Sequence, residues 1–253
     1  MKPNHETFIG IDPGDARQPY TLAAMDGDRS ILVLSQGSIQ DVLAYASGKA
    51  SALVAVSGPL GFNGGLLAQD AVRATLEPVP KPGEWTDARL AEYQLSVRGA
   101  PVSRTPTAGR FCPKWIQRAI EVSSCLRQLG FALFTAQDSA RQLLEAPAET
   151  GYWSLLGTLP FPSASLEGRL QRQLVLHAEK LPVSDPMDFF EEVTRFKLLK
   201  GILPVKDIYS APELNALLAA YTAWLVVHKP ERVEHFGVED EVIIYIPSRQ
   251  DYK

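Results

Sequence analysis

The sequence predicts an α/β fold built on a mixed sheet, on three observations. Short β-type segments at 7–11, 20–26 and 30–36 open the chain, and Gly27-Asp28 between the last two is a pair that favours a hairpin turn. Residues 52–56, Ala-Leu-Val-Ala-Val, form an uninterrupted apolar run of the kind seen in a parallel strand buried on both faces. Helical periodicity dominates the second half. Strands first and helices later, without an internal repeat or a low-complexity linker, read as one domain over 1–253. That domain has an antiparallel three-stranded start, flanking helices and an inserted helical region.

Each further element has its own signal. A short helix is expected at 39–47, leading into the apolar run. Residues 58–110 are rich in Gly and Pro, as in Gly61-Phe62-Asn63-Gly64-Gly65, and read as a long loop excursion over the sheet edge rather than a second core. Pro113 suits a first helical turn, and Trp115, Ile116, Ala119, Val122 and Leu126 recur at helical spacing until Gly130 stops them. A strand is expected at 131–135. Helices follow at 166–180, at 186–200 before Gly201, and at 211–228 before Pro230, the first two forming an insertion over 160–205. The last strand is expected at 241–246.

Composition narrows the class. A chain of 253 residues, 45% hydrophobic, can bury a sizeable core, and no apolar run reaches the length of a membrane span. The first six residues lack the apolar core of a signal peptide. Cys112 and Cys125 make neither a disulfide framework nor a CxxC pair, so the expectation is a soluble protein in a reducing, cytoplasmic setting. His5, His177, His228 and His235 are scattered, which excludes a zinc-type cluster by spacing. A net charge of −4 gives no global pull on nucleic acid, although a local basic groove stays compatible with it. Arg169, Arg172, Arg195, Lys197 and Lys200 read as a solvated face, and the four tryptophans as core or rim packing.

Candidate site residues sit where strands end. In Phe8-Ile9-Gly10-Ile11-Asp12-Pro13-Gly14 an apolar strand finishes on a carboxylate and turns. Asp12 so placed can ligate a hard cation such as Mg²⁺, or it can hydrogen-bond the turn amides beyond it; the segment leaves both readings open. Ser57, at the end of the second apolar run, reads as a turn cap or a contact for a substrate oxygen. The Gly-x-Ser-x-Gly elbow of a hydrolase nucleophile is absent, and so are the phosphate-loop spacings. Glu145, just ahead of Pro147, is a candidate third element of an acidic site, while Glu149 needs only a helix dipole to explain it. Ser210-Ala211-Pro212-Glu213 has capping-box spacing. Asn215 lies about 200° around the helix from Glu213, so only one of the two can face a site.

These pieces, in this order, resemble the family known as domain of unknown function 429, predicted nucleases of RNase H-like fold. The resemblance spans most of the chain. It is carried by Gly10-Ile11-Asp12, by 54–61, by Arg110-Phe111-Cys112, by Glu145-Ala146-Pro147-Ala148-Glu149, by Glu167-Gly168-Arg169-Leu170-Gln171-Arg172 and by 215–223. It implies a metal-dependent phosphodiester hydrolase acting on nucleic acid or another phosphodiester. Asp12 and Glu145 would then ligate Mg²⁺ or Mn²⁺, Arg110 or Lys114 would steady the phosphate, and Ser57 and Asn215 would line the site. The chain departs from the pattern at two positions, where the family's acids are Ser57 and Asn215. Two metal ions need several carboxylates, so the departures open an alternative: a catalytically inactive binding or scaffold protein that kept the fold. The strand-Asp-Gly opening is shared with Holliday-junction resolvases and with sugar-kinase-like ATPases, but the later paired acids of the former and the duplicated domain of the latter are missing.

Overall fold

The computed structural model describes residues 5–134, 139–238 and 240–249. The first four residues and Thr135, the expected end of the strand at 131–135, lie outside the described residues. The elements follow as β1 (Thr7–Asp12), β2 (Tyr20–Met25), β3 (Ile31–Gly37), α1 (Ile39–Ser47), β4 (Ala52–Val56), α2 (Asp70–Arg73), α3 (Leu90–Val97), α4 (Lys114–Gln128), β5 (Ala132–Leu133), β6 (Arg141–Glu145), α5 (Ala148–Leu156), α6 (Leu166–Ala178), α7 (Asp188–Glu192), α8 (Arg195–Leu199), α9 (Ala211–His228), β7 (Val233–Phe236) and β8 (Ile244–Pro247).

The sheet runs β3-β2-β1-β4-β6-β8-β7, with β5 beside β6. The first three strands are antiparallel, while β1/β4, β4/β6 and β6/β8 are parallel. This is the mixed α/β sheet with an antiparallel start that the sequence predicts, and it is compatible with an RNase H-like fold. Strand alternation splits the core into two layers. Phe8, Leu53, Ala55 and Leu144 face α5, α6 and α9; Ile9, Ile11, Val54, Val56 and Leu143 pack with α1 and α4.

Helix α9 lies directly on β1, and Gly10 permits it: a β-carbon there would collide with the carbonyl oxygen of Ala216 and the amide nitrogen of Ala220. Its start follows the capping box, since the Glu213 carboxylate accepts from both the amide and the hydroxyl of Ser210 at 2.7 Å. Among the described residues no helix is long and apolar enough to cross a membrane.

The structure adds two strands that the sequence reading did not predict and corrects three of its expectations. Residues 141–145 form a central strand, because Leu143 and Leu144 are covered on opposite sides of the sheet. The excursion at 58–110 carries α2 and α3 and a small apolar cluster of Leu67, Ala88, Leu90 and Tyr93. The helix expected at 186–200 breaks into α7 and α8, five residues each. Val233–Phe236 adds a strand antiparallel to β8, which itself begins at Ile244 rather than 241.

Candidate functional site

The parallel registers align the C-terminal ends of three neighbouring strands: Ile11 pairs with Val56, and Val56 with Glu145. Beyond those ends opens a cavity of about 480 Å³, whose walls include Asp12, Ser57, Arg89, Glu145, Glu149 and Asn215. A crevice outside the carboxyl ends of parallel strands is where α/β sheets ordinarily take ligands.

Asp12 is buried, and both of its oxygens are engaged. Oδ1 accepts from the Gly14 amide at 2.7 Å, while Oδ2 accepts from Asn215 Nδ2 at 2.7 Å. The turn reading of Asp12 is thus realised through Gly14, while its second oxygen meets Asn215 at the cavity. Burial pushes its carboxyl above the usual range, against the two hydrogen bonds and the nearby Arg118, which favour the charged form. Among the described residues Asn215 Oδ1 is a buried acceptor without a hydrogen-bond partner. Ser57 Oγ accepts from the Ala148 amide at 3.1 Å and so caps α5, which Pro147 begins without a side-chain cap of its own.

Glu145 is held differently. Its oxygens accept from Arg89 Nη1 at 2.8 Å and Nη2 at 2.5 Å, and Oε2 also accepts from the Leu60 amide at 3.0 Å. Arg89 Nε donates to Glu92 at 2.9 Å, and Glu92 accepts further from the amide and hydroxyl of Thr105. Arg89, Glu92 and Glu145 are each only 1% exposed. Burial acts against the Arg89 charge, but Glu145 and Glu92 outweigh it and hold the guanidinium protonated. Burial pushes Glu145 upward while Arg89 pulls it back; the bidentate contact, which uses both oxygens as acceptors, fits an ionised pair.

The pleat explains why Asp12 and Glu145 have different partners. Asp12 follows Ile11 and shares the side of Phe8 and Gly10, facing α9. Glu145 is in register with Ile11 and Val56 and shares their side, toward Leu60 and α4. One residue of phase sends the two carboxylates to opposite sides of the sheet at the rim of one cavity. Arg110 is exposed and Lys114 donates to Gln117 at 3.3 Å; neither lines the cavity. Glu149 does line it, and both of its oxygens bind Arg172, at 2.8 and 2.7 Å. Arg172 is buried, not part of a solvated face. Among the described residues no three His, Cys, Asp or Glu side chains gather as a metal site would require.

No family model, curated protein or solved structure matches this chain. The site therefore rests on its own geometry. Sequence reasoning missed Arg89, Glu92 and Thr105. A faint signal existed: Arg89 and Glu92 stand three apart at the start of a helix, the spacing at which opposite charges meet.

Proposed function

We propose that this chain is a binding protein of RNase H-like fold, similar to the domain of unknown function 429 family but without two-metal phosphodiester cleavage. The observation that carries the reading is the engagement of both Glu145 oxygens, by Arg89 and the Leu60 amide. On the other side of the sheet Asp12 stands with the neutral Ser57 and Asn215, and the next carboxylate of the wall, Glu149, is committed to Arg172 through both oxygens. Hard cations take about six oxygen ligands, and a two-ion site needs several carboxylates to offset its charge, so these residues do not fit one. The cavity wall is acidic on balance, with Asp12, Asp15, Glu92, Glu145 and Glu149 against Arg89, and Asn215 Oδ1 is a buried acceptor in it. A bare phosphate group is repelled there, whereas a neutral or cationic ligand with hydrogen-bond donors is complementary. The free thiols of Cys112 and Cys125 suit a reducing, cytoplasmic setting for this role.

A second reading, the metal-dependent hydrolase acting on nucleic acid, is favoured by one observation. Asn215 Oδ1 is a hard oxygen donor beside Asp12 that makes no hydrogen bond among the described residues. One experiment separates the two. Calorimetric titration with Mn²⁺ is run on the native protein and on Ser57→Asp/Asn215→Asp, alongside cleavage of a labelled oligonucleotide. The binding reading expects negligible Mn²⁺ affinity and no cleavage by the native protein, and a gain of Mn²⁺ affinity in the variant. Mn²⁺-dependent cleavage by the native protein that disappears in Asp12→Asn would replace it with the hydrolase reading.

A further inference from the structure

Between α6 and α9 the chain turns large apolar side chains outward. Helices α7 and α8 have five residues each, and of their side chains only Phe189 is buried, edge-on to Phe190 with ring centres 5.3 Å apart. Met187, Phe190, Phe196, Leu198, Leu199 and Ile202 are exposed, Leu199 to 81%. Isolated exposed apolar residues need no explanation, but a run of them within about 16 positions marks a surface that is covered in use.

The charge pattern of the same segment identifies the cover. Residues 185–192 contain four acids, Asp185, Asp188, Glu191 and Glu192, and no base. Residues 194–206 contain four bases, Arg195, Lys197, Lys200 and Lys206, and no acid. Within the chain Glu192 meets Lys197 at 3.6 Å and Asp185 meets His177 at 3.8 Å. Asp188, Glu191, Arg195 and Lys200 have no ion pair among the described residues.

We propose that this face docks a second copy of the chain across a two-fold axis. A two-fold contact lays one patch on the identical patch reversed, so the acidic half of each protomer meets the basic half of its partner while the apolar side chains that both halves carry are covered. An anionic membrane or a nucleic acid would meet the four acids, and a purely acidic or purely basic protein would be repelled by one half. A second copy is complementary to both halves. The inference does not depend on what the cavity binds.

Sedimentation equilibrium of the full chain tests it. The native protein is expected to show a concentration-dependent mass rising toward twice 27.7 kDa. Phe196→Glu with Leu199→Glu is expected to stay monomeric with an unchanged far-UV circular dichroism spectrum. Asp188→Lys/Glu191→Lys and Arg195→Glu/Lys200→Glu should each weaken self-association by roughly tenfold, because every charge acts twice across the axis. Mixing these two variants should restore association as a heterodimer. A native mass of 27.7 kDa at all concentrations up to roughly 100 μM would overturn the proposal. So would a dimer indifferent to all of these changes, or co-sedimentation with anionic phospholipid vesicles without self-association.

Discussion

Arg89 pairs with two buried carboxylates at once, Glu92 and Glu145, and among the described residues neither has another ion-pair partner. Removing one partner of a buried pair leaves the other without compensation, which costs about 3–5 kcal/mol. Arg89→Met is therefore expected to lose about that much in urea denaturation at pH 7. The sign of the pH dependence follows. Without the guanidinium, burial raises Glu145 above its unfolded value, and the folded form then favours the proton. The associated stability is full below the unfolded pKa and is lost as pH rises through the folded one. The variant should accordingly recover part of its deficit at pH 5, and a deficit constant from pH 5 to 7 would refute an ionised clamp. Asp12 obeys the same rule in the native chain, because burial holds its carboxyl up. Asp12→Asn should melt higher than the native protein at pH 7, with the two curves converging toward pH 4. Asp12 was legible in the sequence because strand, acid and turn are contiguous there. The environment of Glu145 was not. Its clamp comes from a residue 56 positions away, and its side of the sheet depends on a strand that residues 141–145 do not announce by pattern.

At the scale of elements, α9 and β1 show what a contiguous signal delivers. The helix over Ala211–His228 was readable from its capping box at one end and Pro230 beyond the other, and β4 from its apolar run. The broken helix at 186–200 was not readable, because apolar spacing says which residues share a face but not whether anything covers that face. The close approach of α9 to β1 was equally hidden, since Gly10 looks like any strand glycine until its neighbour is known. Gly10→Ala places a β-carbon against helix backbone that has no rotamer to give, and the expected loss is about 1–3 kcal/mol or more. A melting midpoint within a degree of the native one would mean that the helix shifts freely on the sheet. Ser210→Ala, by contrast, removes only a hydroxyl that donates to Glu213 and should cost roughly 1 kcal/mol.

Across the whole molecule, the insertion carrying α6 to α8 joins the sheet and α9 through Leu176, Leu181 and Val183 in the shared core and through a few buried polar anchors. Arg172 on α6 binds Glu149 on α5 and the carbonyl oxygens of Phe161 and Gly168. Glu179, just past α6, binds Arg232 and Tyr221 and is held below the ordinary carboxylate range: burial pushes it up, but the Arg232 and Tyr221 hydrogen bonds outweigh that. Gln173 ties α6 to Ser184, Asp207 and Tyr209. These anchors meet the cavity wall at Glu149, so the insertion and the site are mechanically joined. Arg172→Met removes the α5 anchor while keeping an apolar stem of similar length, and local stability should fall where the anchor acts rather than throughout. Amide hydrogen exchange is expected to accelerate over α6 and the segment up to residue 207, with β1, β4 and β6 still protected. Uniform acceleration over the whole sheet would show instead that insertion and sheet unfold as one cooperative unit, and that the cavity wall at Glu149 cannot move without the core.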